Sequence, residues 1–210
     1  MIPGIAILGE SLMYKLLGVN MLDRWKNLIN SISIIGNLSG EVLQPSELAS
    51  FEETLKVTLP EEYKEFCQVF GTGRFQEAFS FYSPSDSLIL SQEQLDLIIE
   101  SISNFPSNFP QDDLRKIELL RNLFIFGDDY GSYIFAWDMR TYSSNDKSYD
   151  IYLVLWDSPS ETFDQECKFL GRSFFDLIDK IILTGEINNT YHDSISIEYP
   201  KRCFKRYVYS

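Results

Sequence analysis

The apolar residues of this chain change their spacing near residue 123, and that change constrains the fold more than any other feature. Upstream they recur every three or four residues, as one side of a helix requires. Downstream, from Leu123 to Trp156, they alternate or run continuously, as strands do. A chain of 210 residues with these segments is long enough for one domain with an N-terminal extension.

The upstream helices follow from local chemistry. Leu22, Trp25, Leu28, Ile29 and Ile32 give an amphipathic helix that begins at Met21. A second helix is expected with Ser46 as its cap and Leu48, Phe51 and Leu55 inward. In the third, Pro60 fits the first helical position, Glu61 and Glu62 favour the positive end of the dipole, and Tyr63, Phe66, Cys67 and Phe70 form a stripe closed by Gly71 and Gly73. Ala78 to Tyr82 reads as a strand, and Ser83 to Asp86 as a turn. Ser91 then starts a helix that buries Leu95, Ile98, Ile99 and Ile102. Residues 104–110 form a loop, and another helix spans Gln111 to Asn122 with Leu114, Ile117 and Leu120 inward.

The strands are equally explicit. Leu123 to Phe126 precedes a turn at Gly127 to Gly131. Tyr133, Phe135 and Trp137 then alternate with Ile134 and Ala136, and Ile151, Leu153 and Leu155 with Tyr152, Val154 and Trp156. Both faces are apolar, so these strands should be central and covered. Ser173 caps a helix with Phe174, Leu177, Ile178 and Ile181 inward and Gly185 after it. A last alternating segment, Ile195 to Tyr199, leads to a tail in which Lys201, Arg202, Lys205 and Arg206 interleave with aromatics. That tail is expected to fold back on the acidic surface or to pack as an edge strand.

Composition limits the chemistry. Eighteen cations against 31 carboxylates leave a net charge of −13, which repels nucleic acid and anionic membranes and suits a basic protein partner. Cys67, Cys167 and Cys203 lack zinc spacing and read as reduced thiols of a cytoplasmic protein. His192 is the single histidine and stands in a polar turn, so histidine-based catalysis is not expected. No run reaches the ~20 apolar residues that span a bilayer. Residues 1–44 read as a helical extension, with Gly36 to Gly40 as linker and Met21 as an alternative start of translation. Residues 45–210 read as the main domain.

Four blocks in order carry a resemblance: Phe51-Glu52 followed by Leu59-Pro60-Glu61-Glu62-Tyr63-Lys64-Glu65-Phe66, closed by Gly71 and Gly73; Phe126-Gly127-Asp128-Asp129-Tyr130-Gly131-Ser132-Tyr133-Ile134-Phe135; Val154-Leu155-Trp156-Asp157; and Ser173-Phe174-Phe175. Together they resemble the SUKH superfamily, which holds bacterial toxin-immunity proteins and fungal cell-wall-assembly regulators. The similarity covers residues 45–184; the turn after the second of these helices has Gly-Thr-Gly where members often show Asn-Gly-Gly. The resemblance implies an α+β domain, a mixed, twisted β-sheet with helices on one face and at the ends. It also implies a non-enzymatic binding role: an immunity protein that occludes a toxin, or a regulatory interaction module.

The site expected from the residues is acidic. Between residues 128 and 166 there are 9 carboxylates and 2 cations. A basic, nuclease-type toxin would be steered onto such a strip, with Asp128, Asp129, Tyr130, Asp138, Asp157 and Glu161 as the contact residues. The same carboxylates also read as a solvated rim. Asp128 and Asp129 admit a metal-binding or hydrolytic pair with Asp157, or a structural role in which they accept turn N–H groups while Gly131 takes positive φ. No cofactor or metal is expected, and the oligomeric state is open.

Overall fold

A computed structural model describes residues 21–35, 42–156, 162–190 and 202–207. Its elements are α1 (Met21–Ser31), β1 (Ser33–Ile35), α2 (Pro45–Leu55), α3 (Glu61–Val69), β2 (Gly73–Phe75), β3 (Phe79–Phe81), α4 (Pro84–Asn104), α5 (Pro110–Leu120), β4 (Leu123–Asp128), β5 (Tyr133–Ser143), β6 (Ser148–Leu155), α6 (Phe163–Glu166), β7 (Cys167–Gly171), α7 (Phe174–Asp176) and β8 (Cys203–Arg206). α7 continues as a π-helical stretch, Leu177–Ile182. The strands form one sheet in the order β1-β8-β2-β3-β4-β5-β6-β7. Only the β1–β8 pair among the described strands is parallel; the rest are antiparallel. This is the mixed α+β class that the family resemblance implies, except that helices cover both faces of the sheet rather than one, because both faces of its central strands are apolar.

The two faces of the sheet bury different chemistry. On one, Phe124, Phe126, Phe135, Trp137, Ile151 and Leu153 meet α1, α3 and α7 in an aromatic core. Phe66 lies at its centre, with Trp25 at 5.6 Å, Phe70 at 5.4 Å and Phe174 at 5.3 Å between ring centroids. Edge and offset geometries of this kind add to what area burial alone supplies. On the other face, Ile125, Ile134, Ala136 and Val154 pack beneath α4 and α5 with Leu95, Ile98, Ile102 and Leu120. Alternate residues of β4, β5 and β6 therefore serve two cores, which is why both of their faces are apolar.

One carboxylate fastens the aromatic side. Glu62 Oε1 accepts from Arg24 Nη2 at 2.8 Å, and Oε2 accepts from Ser173 Oγ at 2.8 Å and from the Phe175 N–H at 3.0 Å. It joins α1, α3 and α7 at one point. Trp25 is wholly buried and β1 pairs with β8, so the segment 21–35 shares both the core and the sheet of the main domain.

Several local expectations are corrected. Gln44, not Ser46, is the N-cap of α2, since its N–H donates to Glu47 Oε2 at 2.6 Å and Pro45 takes the first turn. Ser83 to Asp86 is no turn but the start of α4, with the Ser83 hydroxyl accepting from the Asp86 N–H. Ser91 then lies inside the helix and buried. Its Oγ donates to Ser87 O and accepts the Ile125 N–H, each at 2.7 Å, so a residue that resembles a cap pins α4 to the sheet. Leu114 points to solvent, because Asp113, Lys116, Leu119 and Leu120 form the inner face of α5.

The tail is neither folded over the surface nor an edge. β8 lies between β1 and β2, and the Arg206 guanidinium is buried, donating to Phe70 O at 2.7 Å and Val69 O at 3.0 Å. These carbonyls at the end of α3 need a donor, and the cation suits the negative end of the helix. Cys67, Cys167 and Cys203 are buried. His192, the linker at residues 36–40 and the segment Ile195 to Tyr199 lie outside the described residues.

Candidate protein-binding surface

The turn from β4 to β5 is built by its two aspartates. Asp128 Oδ1 accepts the Tyr130 N–H at 2.8 Å, and its Oδ2 accepts the Tyr82 hydroxyl. Asp129 Oδ1 accepts from the Gly131 N–H at 2.9 Å and the Tyr133 N–H at 3.0 Å. Burial pushes the Asp129 carboxyl above its ordinary range, against the opposing pull of these backbone donors. Both side chains are thus occupied in holding backbone, which is the structural one of the two roles open to them.

These bonds carry a cost at an unexpected position. Tyr130, not Gly131, adopts the left-handed conformation, with φ of 57°. For a non-glycine residue this is strained, and the Asx-type bonds on either side hold it there. The ring that results is 74% exposed and lies over the Arg74 guanidinium of β2 at 4.0 Å. Trp156, just past β6, is tied to the same turn: its N–H donates to Ser132 O at 2.9 Å and its Nε1 to Gly131 O at 3.1 Å. It remains 43% exposed. One side of its ring borders a groove of about 360 Å³ shared with Gln94, Leu97, Ile98 and Ser101 of α4.

Of the remaining expected contact residues, the described one, Asp138, is not assembled with this turn. Asp138 is 3% exposed at the far end of the β4–β5 pairing, opposite Leu123. It receives two guanidinium bonds from Arg140, at 2.9 and 2.7 Å. Asp157 and Glu161 lie outside the described residues. Asp146 and Asp150 both engage Arg172. Glu166 is buried against Lys116 at 2.6 Å, and Asp164 faces Arg115 at 3.7 Å. Cations from α5 and from Arg172 therefore offset an acidity that looks unbalanced along the chain.

A further group of carboxylates without ion pairs among the described residues lies on α4. Its 21 residues include Asp86, Glu93, Asp96 and Glu100 and no lysine or arginine. Glu93, Asp96 and Glu100 are exposed and make no ion pair among the described residues. Sequence reasoning missed this surface, although two signals were present: the absence of cations over 21 residues, and Leu97, which falls outside the stripe of Leu95, Ile98 and Ile102. Leu97 is 65% exposed.

Tyr130 and Trp156 are thus an exposed aromatic pair tied to one turn, with Trp156 bordering an apolar groove on α4. The profile of the SMI1 / KNR4 family (SUKH-1) matches residues 43–180, and the chain belongs to that family. α1 and β1 precede the matched region and pack into it. The comparison with curated proteins found no match to this chain. Among the described residues no helix is long and apolar enough to cross a membrane.

Proposed function

We propose that this chain is a non-enzymatic protein-binding domain acting as an immunity protein, one that neutralises a cognate basic, nuclease-type toxin by covering it in the cytoplasm. The observation that carries the reading is the pair Tyr130 and Trp156: two exposed aromatics locked to one turn by hydrogen bonds. Rigid aromatics lose little freedom on binding and supply the anchors that dominate interface energies. Asp128 and Asp129 support this anchor from behind, and buried Asp138 takes no part in contact. Family membership supports a protein-interaction role, and the charge of −13 supports a basic partner reached by electrostatic steering.

The test begins with capture of the partner from the native cell and measurement of its activity with and without the chain. Stoichiometric loss of the partner's catalytic activity is the expected result. Tyr130→Ala and Trp156→Ala should each weaken the complex by about 2 kcal/mol or more, roughly 30-fold in Kd. A partner whose activity persists in the complex would point instead to the regulatory type of interaction module. Unchanged affinity in both variants would move the contact away from this turn.

A further inference from the structure

We infer that the groove between α4 and Trp156 receives a cationic amphipathic segment of the partner protein, with one apolar side chain seated between Leu97 and Trp156 and lysine or arginine beside it. This rests on the reading of the Tyr130–Trp156 turn as a binding face and names the chemistry that would occupy its neighbour. Gln94, Leu97, Ile98 and Ser101 recur at helical spacing along the groove. Going around α4 away from the core, Leu97 is followed by Glu93 and Glu100, one turn before it and one turn after it. Both are exposed and lack ion pairs among the described residues. An apolar hollow bordered by uncompensated carboxylates selects an apolar group with positive neighbours and rejects one with negative neighbours.

The same charges argue against a second copy of this chain as the occupant. Two such surfaces would bring Glu93 and Glu100 of each chain together, and each chain carries −13 overall. Like-charge juxtaposition across an interface disfavours such pairing.

Trp156 provides a direct reporter. Trp25 and Trp137 are 0% and 1% exposed, so acrylamide quenching of the full chain reads Trp156 over a protected background. The probe is a synthetic helical peptide of leucine on one face and lysine on the other, about four turns long, compared with a leucine–glutamate counterpart. The lysine peptide should protect Trp156 with saturation at one peptide per chain, and the glutamate peptide should not. Leu97→Ala should weaken binding by about tenfold. Glu93→Gln combined with Glu100→Gln should remove most of its salt dependence. Because all three side chains are exposed, these variants keep the melting temperature of the parent.

Equal binding to Leu97→Ala, equal protection by the glutamate peptide, or protection that rises with chain concentration alone would overturn the inference. So would a Trp156 already shielded from acrylamide in the free chain. The captured partner separates this failure from failure of the broader reading. Affinity lost in Tyr130→Ala but kept in Leu97→Ala would retain the turn and discard the groove, whereas affinity kept in both would discard the turn as well.

Discussion

The β5–β7 region and helix α4 are both rich in carboxylates, and they use them in opposite ways. In the first, Asp138, Asp146, Asp150 and Glu166 are each met by arginine or lysine, and two of the four are almost fully buried. On α4, Glu93, Asp96 and Glu100 face solvent with no cation opposite among the described residues. The first set holds strands, α5 and the Arg172 loop together. The second leaves a field that a partner can feel. A count of charges along the chain favours the first region as a binding site because it cannot see which cations return to it in space.

That contrast can be broken at its strongest point, the Lys116–Glu166 pair. Lys116 Nζ also donates to Leu155 O at 2.8 Å, so Lys116→Ala removes two bonds and the cation that meets a buried carboxylate. We expect a loss of about 3–5 kcal/mol in denaturant unfolding. Replacing both partners by apolar residues of similar volume should recover most of it, since the desolvation cost goes with the charges. A loss below about 1 kcal/mol in Lys116→Ala would place Glu166 in solvent instead.

Asp138→Asn comes next. The variant keeps the shape but gives up the charge that Arg140 meets, and a cost of about 1–3 kcal/mol should appear in the same assay. No change would mean that this carboxylate is free after all.

Glu65 sharpens the comparison from a third position. It is half-buried on α3, its Oε2 has no hydrogen-bond partner among the described residues, and burial pushes its carboxyl up to about 7. Below the ordinary carboxylate range it is protonated in both folded and unfolded chains and has no effect. As pH rises from there towards 7, the unfolded chain loses the proton while the folded chain keeps it, so Glu65 makes stability fall across that window and then level off. Glu65→Gln should therefore raise the melting temperature more at about pH 8 than at about pH 5. An equal gain at both would show that Glu65 ionises normally.

The smallest effect is expected on α4. Glu93→Gln and Glu100→Gln should change stability by less than about 0.5 kcal/mol. A larger loss would mean that these carboxylates hold structure, as those of the other region do.

Much of the fold was legible because it rests on period and packing. The stripe of Tyr63, Phe66, Cys67 and Phe70 and the alternation of β5 and β6 follow from which residues must leave water, and the α+β class from the order of the blocks that carry the family resemblance. What was hidden depended on long-range partners. Ser91 has the chemistry of a helix cap, and only the approach of the Ile125 N–H makes it an interior bond. β8 looks like a basic tail until the carbonyls of Val69 and Phe70 give Arg206 a place inside. For the site, the turn at Asp128 and Asp129 and the exposure of Tyr130 could be read from the residues. The left-handed strain at Tyr130, its stacking on Arg74 from a strand more than fifty positions earlier in the chain, and the meeting of Trp156 with α4 could not.

The central claim is that binding uses the Tyr130–Trp156 turn and the adjoining face of α4 rather than the neutralised carboxylates of β5 to β7. Hydrogen exchange of the full chain, alone and in complex with the captured partner, tests it most directly. The account predicts slowed exchange at residues 129–133, at Trp156 and along residues 93–101, with residues 138–150 unchanged. Protection confined to residues 138–150, with the turn and α4 exchanging as in the free chain, would contradict it.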